Sequence, residues 1–228
     1  MTSLKAIDTP SPNFDERTLP ISMIVLHYTG MEDGPSAINW LANPESKVSS
    51  HYVVEEDGQL IAMVDEDNRA WHAGRALWRG ITNVNSASIG IEIVNPGHEF
   101  GYRPFPEAQM QTVTELVADI VRRHHIKPIN VVGHSDVAPE RKEDPGELFD
   151  WDRLARLKLA VAKPGARLVD PYWSDGAFLL ALERFGYSIS DGPAAVRAFQ
   201  RRFRQDSVDG VIDGECRALL FALLIEEY

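Results

Sequence analysis

Apolar residues occur in three kinds of pattern along this chain. ISMIVLH (21–27) is a continuous β-prone run, the pattern of a strand covered on both faces, and His27 stands at its polar end. HYVV (51–54) and QLIAMV (59–64) flank the Asp57-Gly58 step and predict a β-hairpin. SIGIEIV (88–94) alternates, with Ile89, Ile91 and Ile93 on one face and Glu92 set among apolar neighbours on the other. INVVGH (129–134) predicts a further strand.

The second pattern is helical. A short stretch opened by Pro35 runs to Ala42, and Met110, Val113, Leu116, Val117, Ile120 and Val121 recur at helical spacing between Pro106 and His125. Another helix is expected near 151–161. Strands and helices therefore alternate, which predicts an α/β fold with a mixed central sheet flanked by helices and functional groups at strand ends. The third pattern follows KPGARLVDP (163–171), which has linker composition: three short amphipathic stretches near 175–186, 193–204 and 214–227 predict a three-helix module. The division is thus an extended arm over 1–20, rich in Pro, Ser and Asp, a main domain over 21–162, the linker over 163–171 and a small helical domain over 172–228.

Composition narrows the function. A chain of 228 residues, 44% apolar, exceeds the roughly 100–150 residues of a typical domain, so a main core plus an appendage fits. Its formal charge of −11 repels nucleic acid and anionic membrane surfaces at long range. Cys216 stands alone, so neither an intrachain disulfide nor a multi-thiolate zinc site can form, and any metal must be held by His and carboxylate. The N-terminus lacks an apolar stretch behind a basic start, and no apolar run is long enough to span a bilayer. That reading places the protein in the cytoplasm if Met1 is the native start, or in the periplasm if a leader has been removed.

Two features carry chemistry. One is His27 at its strand end; the other is GHSDVAPERKEDPG (133–146), which packs His134, Lys142 and Asp144 into one polar loop. By composition alone that loop reads as a solvated charged surface, and a lone strand-end His27 as a hydrogen-bonded structural residue. A His₂Asp set would nonetheless leave a zinc ion one open position for water.

IVLHYTG, KVSSHYVVEEDG, RAWHAG, NSASIGIEIVN and GHSDVAPERKEDPG, in that order across about 21–152, resemble the amidase_2 family of N-acetylmuramoyl-L-alanine amidases. That family includes AmpD and AmiD enzymes and peptidoglycan recognition proteins. The resemblance implies one Zn²⁺ per chain on His27, His134 and Asp144, a catalytic acid–base at Glu92 and a catalytic lysine at Lys142. It implies hydrolysis of the amide between N-acetylmuramic acid, in its ordinary or 1,6-anhydro form, and the L-alanine of a stem peptide, with muropeptide or peptidoglycan as partner. It also implies substrate contacts at Tyr28, Lys47, Ala70, Trp71 and Asn83; Tyr28 and Asn83 depart from the AmpD pattern, which has an amide and a basic side chain there.

Other histidines have structural readings: His51 and His72 as core or support, His124 and His125 at the dipole-favoured end of a helix. The tail, with AVRAFQRRF (195–203) and DGVIDGECRALL (209–220), resembles the peptidoglycan-binding module of AmiD-type enzymes, a helical cap being the alternative. Two rivals stand beside the amidase: a peptidoglycan sensor without turnover, and a zinc peptidase cutting within the stem peptide.

Overall fold

The computed structural model describes residues 4–165 and 169–226. Its centre is a six-stranded mixed sheet in the order β1-β5-β4-β7-β3-β8. The strands are β1 (Ile7–Asp8), β3 (Met23–Tyr28), β4 (Tyr52–Val54), β5 (Leu60–Ala62), β7 (Ser88–Ile93) and β8 (Val131–Gly133), while β2 (Phe14–Glu16) and β6 (Asn68–Ala70) form a separate antiparallel pair. β4, β7, β3 and β8 run parallel, while the β4–β5 hairpin and the β2–β6 pair are antiparallel. Parallel strands require cover on both faces, and the first five residues of β3 are buried.

One face carries Ile24, Leu26, Ile89, Ile91 and Ile93 against Met110, Val113, Leu116, Val117 and Ile120 of the long helix α4 (Glu107–His124). The remaining main-domain helices are α1 (Gly34–Ala42), α2 (Val84–Ala87), α3 (Gly97–Phe100), α5 (His134–Val137) and α6 (Trp151–Arg156). α1 starts where Asp33 caps the Ser36 N–H at 2.8 Å, with Pro35 in the first turn. α6 stops at Arg156, five residues short of the expected 161, because the chain turns at Leu157 and left-handed Lys158.

The other face bears Met23, Val25 and Val132, joined in one apolar cluster by Trp78, Val84 and Val137 and by the C-terminal helices α7 (Asp175–Phe185), α8 (Gly192–Phe203) and α9 (Gly214–Ile225). Phe178, Leu182, Phe185, Tyr187, Phe199 and Phe203 lie in that same cluster. The helices anticipated over 172–228 therefore lean on the sheet rather than enclosing a core of their own alone. Of the linker expected at 163–171, residues 166–168 lie outside the described residues, as do 1–3 and 227–228.

Residues 4–20 differ from a loose surface arm. β1 adds a parallel edge to β5, Ser11 and Asn13 are buried, and the Arg17 guanidinium donates to the carbonyls of Glu66, Ser86, Ser88 and Asn68 at 2.6–3.1 Å. Polar side chains satisfying backbone carbonyls anchor this segment, and such anchoring leaves no hydrophobic periodicity to read.

Candidate active site

Because β3, β7 and β8 are parallel, their C-terminal ends open on one edge of the sheet, where ligands bind in open α/β folds. His27 and Glu92 are register partners across β3 and β7. β8 ends at Gly133, and His134 is the first residue of α5. The loop bearing Asp144 folds back on this point, with the Ser135 N–H donating to the Asp144 carbonyl at 2.9 Å. A Cβ on Gly133 would stand 2.7 Å from Pro145 Cδ, so only glycine lets the two segments approach.

Three ligand-type atoms converge there. His27 Nδ1 lies 2.9 Å from His134 Nδ1, and both lie 3.0 Å from Asp144 Oδ2. A tetrahedral ion with bonds of about 2.0 Å has ligand–ligand edges of roughly 3.3 Å, close to this triangle.

Hydrogen bonds fix the proton positions. The Ser88 hydroxyl donates to the Val84 carbonyl at 2.6 Å, leaving its oxygen to accept from His72 Nε2 at 3.2 Å. His72 Nδ1 is then an acceptor, and His27 Nε2 donates to it at 3.0 Å. His134 Nε2 donates to the Ala73 carbonyl at 3.0 Å. Both imidazoles thus turn Nδ1 towards one carboxylate oxygen. Burial, followed by the neighbouring His134, brings the His27 pKa down to about 4, so its ring is neutral near pH 7. Three convergent ligand-type atoms can hold a cation between them, and the donor set of two imidazoles and one carboxylate suits zinc.

Gly90 makes this chain of histidines possible, since a Cβ there would lie 2.5 Å from the His72 ring. Asn85 Oδ1 accepts from the His72 and Ala73 N–H groups at 3.2 and 2.7 Å and so fixes the carbonyl that orients His134.

A cavity of about 470 Å³ opens over the triangle, and Glu92 and Lys142 both line it. Burial, then the nearby Asp144, raises the Glu92 pKa well above the ordinary carboxylate range, and its Oε2 has no hydrogen-bond partner among the described residues. A buried, unpaired carboxyl oxygen on a residue that lines the cavity suits a group that accepts and returns a proton. Lys142 forms no ion pair among the described residues, so its ammonium is available to a developing anion.

The expected substrate contacts divide. Tyr28 and Trp71 line the cavity. Lys47, Ala70 and Asn83 do not: Lys47 is exposed in a left-handed turn, Ala70 is fully buried in β6 opposite Phe14, and Asn83 donates to Thr18 Oγ1 at 3.2 Å ahead of α2. The cavity instead recruits Trp40, Leu41, Val48, His98, Arg141 and Glu143. No local sequence signal marks His98, because its place depends on Tyr28 Oη at 3.0 Å from its Nδ1 and Glu147 Oε1 at 3.1 Å from its Nε2.

The sequence profile of N-acetylmuramoyl-L-alanine amidases matches residues 17–147. N-acetylmuramoyl-L-alanine amidase AmiD of Escherichia coli is 38% identical over 91% of this chain and 83% of its own length. 1,6-anhydro-N-acetylmuramyl-L-alanine amidase AmpD of Haemophilus influenzae is 32% identical over 63% of this chain and 86% of its own. Among solved structures, E. coli AmiD in complex with anhydro-N-acetylmuramic acid-L-Ala-D-γ-Glu-L-Lys superposes with a TM-score of 0.80 at 35% identity, covering 92% of this chain and 91% of that one. AmpDh3 from Pseudomonas aeruginosa, in complex with anhydromuramic pentapeptide, gives 0.82 at 29% identity over 96% and 94%. With the profile spanning more than half the chain and a relative matched along most of both lengths, this chain belongs to the N-acetylmuramoyl-L-alanine amidase family.

Proposed function

We infer that this protein is a zinc-dependent N-acetylmuramoyl-L-alanine amidase, hydrolysing the amide between N-acetylmuramic acid and the L-alanine of a muropeptide. The observation that carries the reading is the convergence of His27, His134 and Asp144 beside an unpaired Glu92 carboxyl. Zinc held by those three residues would supply a Lewis acid and lower the pKa of a bound water towards about 7. Glu92 takes the proton from the attacking water and returns it to the departing alanine amine, the exchange that its raised affinity for a proton favours. Lys142 sets positive charge against the oxygen of the attacked lactyl carbonyl. Trp71 and Trp40 offer apolar walls to the substrate, and Tyr28 a hydroxyl at the mouth.

Anhydromuropeptides bound to the related AmiD and AmpDh3 structures support a muropeptide of this class as substrate. Mass spectrometry of the products from a soluble muropeptide tests the reading. The expected products are the free sugar and a peptide beginning with L-alanine. Cleavage inside the stem peptide would make the protein a peptidase, and binding without turnover would make it a sensor.

A further inference from the structure

Residues 133–147 carry His134, Lys142 and Asp144, yet beyond Gly133, the last residue of β8, the segment holds the single turn of α5 and a series of loops. Side chains from α8 and from the turns on either side of it grip the segment along its length. Tyr187, buried between α7 and α8, donates its hydroxyl to Asp136 Oδ1 at 2.7 Å. The other Asp136 oxygen accepts the N–H of Gly133 at 2.7 Å, immediately before His134. Ser190 bonds Glu140 in the middle of the segment. On α8, Arg201 donates to Glu143 Oε1 at 2.6 Å, one residue before Asp144, and its Nε lies 3.8 Å from Glu147 Oε2. Gln205 donates to the carbonyls of Glu147 and Phe149 at 2.7 and 2.8 Å. Glu147 also holds His98, which holds Tyr28, the residue after His27.

We propose that the C-terminal helices are a positioning element of the active site, with Tyr187 and Arg201 as positioning residues that hold the 133–147 segment so that His134 and Asp144 meet His27. A metal site needs its ligands held to within about 0.5 Å, and a segment of turns cannot supply that rigidity alone. Neither residue lines the cavity, so both act through the segment they hold. The proposal rests on the metal-dependent amidase reading and extends it to helices whose sequence resembles a wall-binding module.

The test uses the full chain with Tyr187→Phe, Arg201→Met and Arg201→Lys. Zinc affinity is measured by competition with a chromogenic chelator, kcat and KM on a soluble muropeptide at saturating zinc, and thermal melting alongside. Tyr187→Phe and Arg201→Met should each weaken zinc binding by about 10–100-fold, the usual effect of losing a group that orients metal ligands. kcat should fall while KM stays near the wild-type value, and Arg201→Lys, which keeps a cation against Glu143, should recover most of both losses. Wild-type zinc affinity and kcat in the first two variants would overturn the proposal, whether or not their melting temperatures fall, and would leave the helices as a cap. Should Arg201→Met fail to fold, Tyr187→Phe decides, since it removes one hydroxyl. A wild-type protein that neither binds zinc nor cleaves the substrate would instead refute the amidase reading itself.

Discussion

His27 does not select its own tautomer; the Val84 carbonyl does, through the Ser88 hydroxyl and the His72 ring. His72→Ala should therefore weaken zinc binding by about 10–100-fold while leaving all three ligands in place, measured by chelator competition. Glu92→Gln should keep zinc and substrate binding but lower kcat by about 10²–10⁴-fold, read from steady-state kinetics beside metal content. The two substitutions separate holding the metal from moving the proton. At this scale the sequence shows residue types better than it shows partners. His27, His134 and Asp144 stand in motifs that can be recognised, and Glu92 stands out as a carboxylate in an apolar strand. The part played by His72 depends on contacts among positions 27, 72, 84 and 88, which no local spacing encodes.

Among the elements, the legible ones bury continuous apolar faces. The hydrophobic run of β3, the alternation of β7 and the helical stripe of α4 each commit a whole element, and their parallel pairing then places His27, Glu92 and His134 at one edge. β1, β2 and β6 span two or three residues each and are set by pairing and by Arg17, so their sequences carry no period. α4 is tied to the hairpin differently. Glu66, at the end of the hairpin, accepts from Arg123 and Tyr52 and meets His124, and these contacts outweigh the upward pull of burial and bring its pKa to about 2. The folded value lies below the 4.5 of an ordinary glutamate, so this stabilisation is complete above about pH 5 and is lost as pH falls towards 2. Glu66→Gln should remove on the order of a few kcal/mol near pH 7 and flatten the acid side of the stability profile, measured by urea unfolding between pH 3 and 7. An unchanged profile would show that Glu66 is not held in this way.

For the whole molecule, the amphipathic stretches of the tail announce three helices with apolar faces without saying what those faces cover. The structure answers that they share the apolar cluster on one face of the sheet, with Phe178, Phe199 and Phe203 in the same cluster as Met23, Val25 and Trp78. A chain ending at Gly165 should therefore melt far below the full-length protein, because each large apolar side chain returned to water costs about 1.5–3 kcal/mol against a total stability of roughly 5–15 kcal/mol. Differential scanning calorimetry checks this, and equal melting temperatures would mean that the two parts fold independently. Metal-free protein titrated with zinc, with the release of L-alanine-headed peptide from a soluble muropeptide followed, gives the most direct test of the zinc amidase. The rate should rise in step with added zinc and level off at about one equivalent, as one three-residue site requires. Full activity without metal, or a plateau that ignores zinc stoichiometry, would contradict it.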